Sequence, residues 1–292
     1  MRVLKSLLSR LRRIDSIESR AVYLQEALGR IEARQTESAK TLREAEFRVF
    51  SQWGEDGIIQ FLSRHVPIDN KTFVEFGVQD YLESNTRFLV VKDNWSGLVI
   101  DGSAENIGKV RGSELYWRHR IRAECAFITR DNINDIIRSA GITGDIGLLS
   151  VDIDGNDYWV WQAIDVIQPR IVVVEYNGRF GVERAVSVPY DPQFIRERAH
   201  SSMIYYGASL AALAQLGEVK GYVLVGCNSA GNNAFFVRKD VRPSSLPSLT
   251  AREAYVQASF RESRDASGNL SFLNPEDERQ LLETLPLVNL SS

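Results

Sequence analysis

From about residue 50 onward, short apolar runs alternate with stretches of helical periodicity. KTFVEFG (71–77), GLVIDG (97–102), IGLLSVDID (146–154) and RIVVVEYN (170–177) are β-branched and nearly continuous in apolarity. Strands buried on both faces of a parallel sheet have this pattern. Between them the periodicity predicts helices at 84–93, 103–111, 131–140 and 156–167. A helix in ASLAALAQLG (208–217) precedes GYVLVG (221–226) and NAFFVR (233–238), which read as a closing pair of strands. The alternation predicts a doubly wound, mostly parallel α/β domain over residues 49–241. Residues 242–292 carry more serine, proline and charge, and are expected to wrap the surface with one or two helices. The basic run WRHRIR (117–122) reads as a solvated edge.

Residues 1–48 follow a different pattern. The first 45 contain no proline and a single glycine, Gly29, and are strongly helix-forming. Ile14, Ile17, Ala21, Leu24, Leu28 and Ile31 recur at alternating spacings of three and four, the seam of a short coiled coil. A homo-oligomer joined through this helix is one expectation; a helix packed on its own domain is the other. Ahead of the seam, MRVLKSLLSRLRR sets five basic residues among leucines with no acid. Such a stretch suits peripheral contact with an anionic membrane surface.

Composition narrows the function. A chain of 292 residues with 44% hydrophobic and 25% charged residues is an ordinary globular protein able to bury a large core. Its net charge of −3 gives no basic field, so no nucleic-acid partner is expected. Cys125 and Cys227 form no CxxC and read as reduced thiols of a cytoplasmic protein. His65, His119 and His200 show no zinc-ligand spacing. No apolar stretch approaches the roughly 18 residues a membrane span needs, and the basic N-terminus lacks the apolar region of a signal peptide.

The chemistry lies in the acids. LLSVDIDGND (148–157) is an apolar run that ends in Asp152, Asp154 and Asp157 around a glycine. Such neighbours raise one another's pKa unless a cation, a donor or water compensates. Each of the four strands delivers an acid at its carboxyl end, where open parallel sheets bind ligands: Glu75, Asp101, Asp152 with Asp154, and Glu175. Stability alone does not call for such a row. VEFGVQD places Gly77 in the first strand-to-helix turn, where a missing side chain lets a cofactor approach the backbone. Asp101 follows at the end of the second strand, the position from which an acid grips ribose hydroxyls. With one glycine and no G-x-G-x-x-G, a nucleoside cofactor without phosphates fits better than a dinucleotide. Asp80 and Gly102, in the same two turns, complete the candidate cofactor set. Tyr176, Asn177, Tyr205 and Tyr206 are candidates for the substrate side, since aromatic faces stack on sugars and Asn reads hydroxyls. Asn232 and Asn233 either cap a turn or reach a sugar hydroxyl.

SQWGEDGII, FVEFGVQDYLESNT, GLVIDGSAENI, LLSVDIDGNDYWVWQAI, RIVVVEYN and GCNSAGNNAFFVR together resemble the FkbM-like group of S-adenosylmethionine-dependent methyltransferases, over roughly residues 50–240. The resemblance implies a seven-stranded Rossmann-like methyltransferase fold and methyl transfer from S-adenosylmethionine to oxygen, often on a sugar or glycan. It implies Glu75 and Gly77 in the first cofactor motif, Asp101 on the ribose, and Asp152 where substrate and transferred methyl meet. DIDGND stands where that group usually reads D-V-E-G-x-E, so Asp154 and Asp157 are each one carbon shorter than the expected Glu. Relatives that methylate sugars with Mg²⁺ use acids from this region, which makes Asp152, Asp154 and Glu175 both the candidate catalytic and the candidate metal set.

Three rivals are weaker. DIDGN also resembles the first motif of haloacid-dehalogenase-type phosphatases, but Asn156 stands where that motif wants Thr. A DxD metal site of a glycosyltransferase suits the Asp pair and leaves Gly77 and Asp101 unexplained. A non-enzymatic scaffold on the same fold would leave the acids solvated.

Overall fold

The structure, a computed structural model, describes residues 2–290; within the first helix, side chains are described for Ile17 and from Arg20 onward. The side chains of the basic stretch 1–13 and of Ile14, expected to meet a membrane and to open the seam, lie outside that set. The chain starts with a long helix, α1 (Arg2–Gln35), then α2 (Leu42–Ala45) and α3 (Glu55–His65). Next come β1 (Thr72–Phe76), α4 (Arg87–Asp93), β2 (Ser96–Asp101), α5 (Ala104–Gly112), α6 (Glu114–Arg118) and β3 (Ile121–Cys125). The second half opens with α7 (Ile133–Ser139), β4 (Gly144–Val151), α8 (Asp157–Ala163) and β5 (Ile167–Glu175). After β6 (Val186–Ser187) and α9 (Arg196–Ala199) come α10 (Leu210–Val219), β7 (Tyr222–Cys227) and β8 (Asn233–Arg238). The tail holds α11 (Ala251–Ala254), α12 (Pro275–Glu283) and β9 (Val288–Asn289).

Seven strands form one sheet in the order β3-β2-β1-β4-β5-β8-β7. Pairings from β3 through β5 are parallel, while β8 runs antiparallel to both neighbours. This is a doubly wound, Rossmann-like sheet, as the apolar runs predict. Alternate residues of each strand go to opposite faces. Val74, Ile100, Leu149 and Val172 pack with Ile137 of α7, Trp161 of α8 and Leu213 of α10. Phe73, Val99, Leu148 and Ile171 pack with Ile59 of α3, Val90 of α4 and Ile107 of α5. Both faces are covered, and that is why the strands carry almost no polar alternation.

WRHRIR corresponds to the end of α6 and the start of β3, the edge strand. Only Ile121 of the six is buried, while Trp117, Arg118, Arg120 and Arg122 are exposed, so the run is the solvated edge its charge suggests. The tail does more than wrap. Val288–Asn289 pairs with Val186–Ser187, and Leu282 of α12 joins Phe180, Val188 and Ile204 in a separate apolar cluster. At the other end, α2 sits in the main core through Leu42 and Ala45. No helix among the described residues is long and apolar enough to cross a membrane.

The order matters for function because the chain runs outward from β1 through β2 to β3, then restarts on the other side at β4. The crevice between the carboxyl ends of β1 and β4 is therefore the topological switch point, where such sheets bind ligands.

Candidate active site

At that crevice β1 and β4 almost touch. Gly77 adopts φ +69°, and a Cβ placed on it would lie 1.8 Å from the Asp152 carbonyl oxygen. The glycine is needed there because a neighbouring strand end occupies the space its side chain would fill; the sequence pattern suggested a cofactor instead. Gln79 (φ 48°) and Tyr81 (φ 63°) are also left-handed, as is Asp154 (φ 54°) in the facing turn. Bulky residues avoid this region, and clusters of such strain accompany binding sites.

Two adjoining cavities share Gly77, Gln79, Asp152 and Asp154. The smaller, about 190 Å³, is walled by Ile100, Phe127, Ile128, Ile153 and Phe194, with Asp101 and Gly102 on its rim. Asp101 Oδ2 accepts from Gln79 N at 2.8 Å and its Oδ1 accepts from Ser103 N at 2.8 Å. The carboxylate thus ties the β1 and β2 turns together beside an apolar slot. The larger cavity, about 310 Å³, is lined by Glu75, Asp80, Glu83, Asp152, Asp154, Glu175 and Glu262, with Arg196, Asn85, Asn232 and Asn233 among them.

Asp152, Asp154 and Glu175 each bring a carboxylate oxygen to within 4.8 Å of the other two. Burial raises the Asp152 carboxyl well above its ordinary range, and the charges of Asp154 and Asp157 raise it further. Burial does the same to Glu175, with Asp152 the next cause. Glu175 is 7% exposed, and its Oε2 has no hydrogen-bond partner within the protein. A buried acceptor left this way is costly unless something outside the chain satisfies it.

The other acids have structural partners. Asp157 is fully buried, and its two oxygens accept from Ile153 N and Gly155 N, each at 2.9 Å. It holds the DIDG turn in shape, with burial pushing its carboxyl up to about 6. Glu75, expected on the cofactor, lies on the larger cavity's wall, but its oxygens are used within the chain. Oε1 accepts from Asn85 N at 2.7 Å and Oε2 from Thr86 N at 3.1 Å and from the Thr86 hydroxyl. Asp80 also faces the larger cavity, and accepts from Leu82 N at 3.2 Å.

Of the expected substrate residues, Asn233 lines the larger cavity, where its Nδ2 donates to buried Glu55 at 2.9 Å. Tyr176 and Asn177 do not line it. The Tyr176 hydroxyl donates to Val256 O at 2.7 Å inside the core, and Asn177 Nδ2 donates to Ile204 O and Tyr206 O. They lie just past a strand end, where only the turn's path decides which side chain meets the cavity. Tyr205 is spent likewise, donating to Pro286 O at 2.5 Å.

Three wall residues come from outside the strand-end pattern. Arg196 bonds Asp154 at 2.6 Å and Glu262 at 2.6 Å, with its guanidinium 3.8 Å from the Tyr206 ring centre. Glu262 and Phe260 arrive from the tail, Phe260 stacking on Trp53 with 5.3 Å between ring centres. No local sequence signal marks any of the three.

No family model matches the chain, and no curated protein matches it. Among solved structures, the N-terminal domain of EvdMO1 with SAH bound is similar at TM-score 0.41 and 12% identity, covering 64% of this chain and 80% of that one. An S-adenosylmethionine-dependent methyltransferase from Clostridium acetobutylicum ATCC 824 is similar at TM-score 0.40 and 11% identity, over 63% and 90% of the two chains. An O-methyltransferase family protein from Burkholderia thailandensis gives TM-score 0.38 and 9% identity, over 70% and 59%. Likenesses this distant add nothing to what the sheet order already gives, and they assign no reaction.

Proposed function

We propose that this chain is an S-adenosylmethionine-dependent O-methyltransferase acting on a hydroxyl of a sugar or glycan. The observation that carries the reading is the pair of cavities that meet at Gly77 and Asp152, one apolar-walled and the other acid-lined. The smaller slot suits a purine between Phe127 and Ile153, with Asp101 accepting from ribose hydroxyls and Gly102 leaving room beside it. The larger cavity suits a neutral polyol. Its carboxylates and asparagines accept from and donate to hydroxyl groups, whereas so many acids repel an anionic acceptor.

When bound, S-adenosylmethionine supplies an electrophilic methyl group on a sulfonium. The residues of the chain must then orient the acceptor oxygen and take its proton. Asp152 lines the acceptor cavity and burial raises its proton affinity, so it would accept the proton that the acceptor hydroxyl loses on methylation. Arg196, paired with Asp154, limits the repulsion that Asp152 feels.

The same residues fit a divalent cation. Three carboxylate oxygens within 4.8 Å and the orphaned Glu175 Oε2 form the hard oxygen set that Mg²⁺ prefers. Asp152, Asp154 and Glu175 would hold the ion, which when bound would lower the pKa of the acceptor hydroxyl.

Calorimetric titration with S-adenosylhomocysteine, with and without Mg²⁺, tests the reading. Saturable one-site binding is expected in both conditions. Absence of binding in both overturns the methyltransferase reading.

A further inference from the structure

At the carboxyl edge of the sheet, Glu175 ends β5 and Asn233 begins β8, and the two stand directly opposite each other in the antiparallel register. Residues paired in this way put their side chains on the same face, a few ångströms apart. Both line the larger cavity, at 7% and 3% exposure. Glu175 Oε2 and Asn233 Oδ1 are each buried without a hydrogen-bond partner. Two such acceptors side by side are costly to leave unmet, and what they lack is a donor.

That Asn233 offers its oxygen, and not its NH₂, follows from donors that cannot turn. The backbone N–H groups of Gly231, Asn232 and Asn233 all donate to Asn228 Oδ1, at 3.2, 3.2 and 3.1 Å. Asn228 Nδ2 must therefore donate, and it does so to Glu55 Oε1 at 2.6 Å and to Asn232 Oδ1 at 2.7 Å. Glu55 Oε2 accepts from Trp53 N and Gly54 N, each at 3.0 Å, so both oxygens of Glu55 are acceptors. Asn233 Nδ2 donates to Glu55 Oε1 at 2.9 Å, and turning the amide would set oxygen against oxygen. Asn233 Oδ1 is thus left facing the cavity that the residue lines.

Charge decides what kind of donor belongs there. Arg196 is the one basic residue among those lining the cavity, and Asp154 and Glu262 already hold it. A hydroxyl donates one hydrogen and a water two, and neither brings charge. A primary ammonium carries three N–H donors and a positive charge on one atom, so a single group can serve both oxygens and offset the acids around them. We propose that Glu175 Oε2 and Asn233 Oδ1 form a subsite for a primary ammonium group of a ligand. Two ligands of the proposed reaction can carry one: the cofactor, at its methionyl end, and an amino sugar as acceptor. The inference rests on the methyltransferase reading for these ligands and deepens it, since the second case narrows the acceptor from a polyol to its amino-substituted form. An ammonium and a divalent cation are alternative occupants of Glu175 Oε2.

Calorimetry on two ligand pairs at neutral pH tests the subsite. The first pair is S-adenosylhomocysteine and its analogue without the α-amino group; the second is glucosamine and glucose, titrated with and without S-adenosylhomocysteine. In at least one pair the amine is expected to bind at least about tenfold tighter than its neutral partner, the value of one hydrogen bond to a charged group. Glu175→Gln keeps the size of the side chain and loses its charge, and should abolish that preference. Should this variant fail to fold, Glu175→Asp, with its charge drawn back by one carbon, should weaken the preference instead. A preference in the first pair that is lost in the variant assigns the ammonium to the cofactor, and one in the second makes the acceptor an amino sugar. No preference in either pair overturns the inference and leaves the two oxygens to water, while the methyltransferase reading is judged separately by S-adenosylhomocysteine binding itself. A preference that survives Glu175→Gln overturns it too, because the ammonium is then held elsewhere. If S-adenosylhomocysteine does not bind at all, that reading fails, and glucosamine against glucose on the ligand-free protein still decides the subsite.

Discussion

Asp101→Ala separates a ribose contact from a turn brace. The Asp101 carboxylate accepts from two backbone donors, Gln79 N and Ser103 N, both at 2.8 Å, and from Asn106 Nδ2 at 3.4 Å, and it lines the apolar slot. If ribose hydroxyls donate to it, the variant loses hydrogen bonds to a charged group, worth about 1.5–3 kcal/mol. That corresponds to roughly 10- to 160-fold weaker binding. The brace has a smaller cost, because Asp101 and Ser103 are half-buried and water can reach the freed donors. About 1 kcal/mol of stability should go, lowering the melting midpoint by roughly 2–4 °C. Asp101→Asn keeps one acceptor oxygen but turns an NH₂ toward a backbone donor, so it should fall between wild type and Ala in affinity. Calorimetry with S-adenosylhomocysteine reads the first effect and thermal unfolding the second. A midpoint that drops while affinity stays within about twofold would refute the ribose role and leave only the brace.

Further outcomes follow from the same geometry. Asp152→Asn should keep the fold and cofactor affinity but abolish turnover, measured as S-adenosylhomocysteine release; full activity would remove Asp152 as the base. If the acid cluster works with a divalent cation, EDTA should stop turnover, and harmless EDTA would sink that branch. Gly77→Ala should cost at least about 2–4 kcal/mol, since the new Cβ meets the Asp152 carbonyl at 1.8 Å and the backbone is left-handed; a midpoint unchanged in chemical denaturation would contradict the strand-end contact. For pH, burial pushes Glu75 up to about 7 and Asp56 and Asp157 each up to about 6. The folded state then holds more protons than the unfolded one between about pH 4 and 7, so stability falls as pH rises through that window, and the raised carboxyls of Asp152 and Glu175 act in the same direction. Carboxyls held low by a cation, such as Asp145 beside Arg170 and Arg238, act only at lower pH. The melting midpoint of the ligand-free protein should thus be higher near pH 5 than near pH 8; the opposite order would show that these carboxyls are solvated.

Hydrophobic periodicity by itself determined the sheet. Runs such as LVI and IVVV have no polar alternation because helices cover both faces, so their burial is written into every residue. It also determined where chemistry can sit, since an acid following such a run must emerge at the strand's carboxyl edge. What each acid does there was decided only by the tertiary structure. Glu75 and Asp157 look like Asp152 and Glu175 in sequence, yet the first pair is satisfied by backbone donors of the adjacent turns. The second pair faces the crevice, with Glu175 Oε2 left without a partner. Gly77 was legible as special, but its reason, the carbonyl of Asp152, lies on a strand 75 positions further along the chain. Arg196 reaches Asp154 across 42 residues, and Phe260 and Glu262 come from the tail. Periodicity records only whether a residue is buried. Which group it meets depends on how distant segments close over the sheet, and that is fixed by packing across the whole chain.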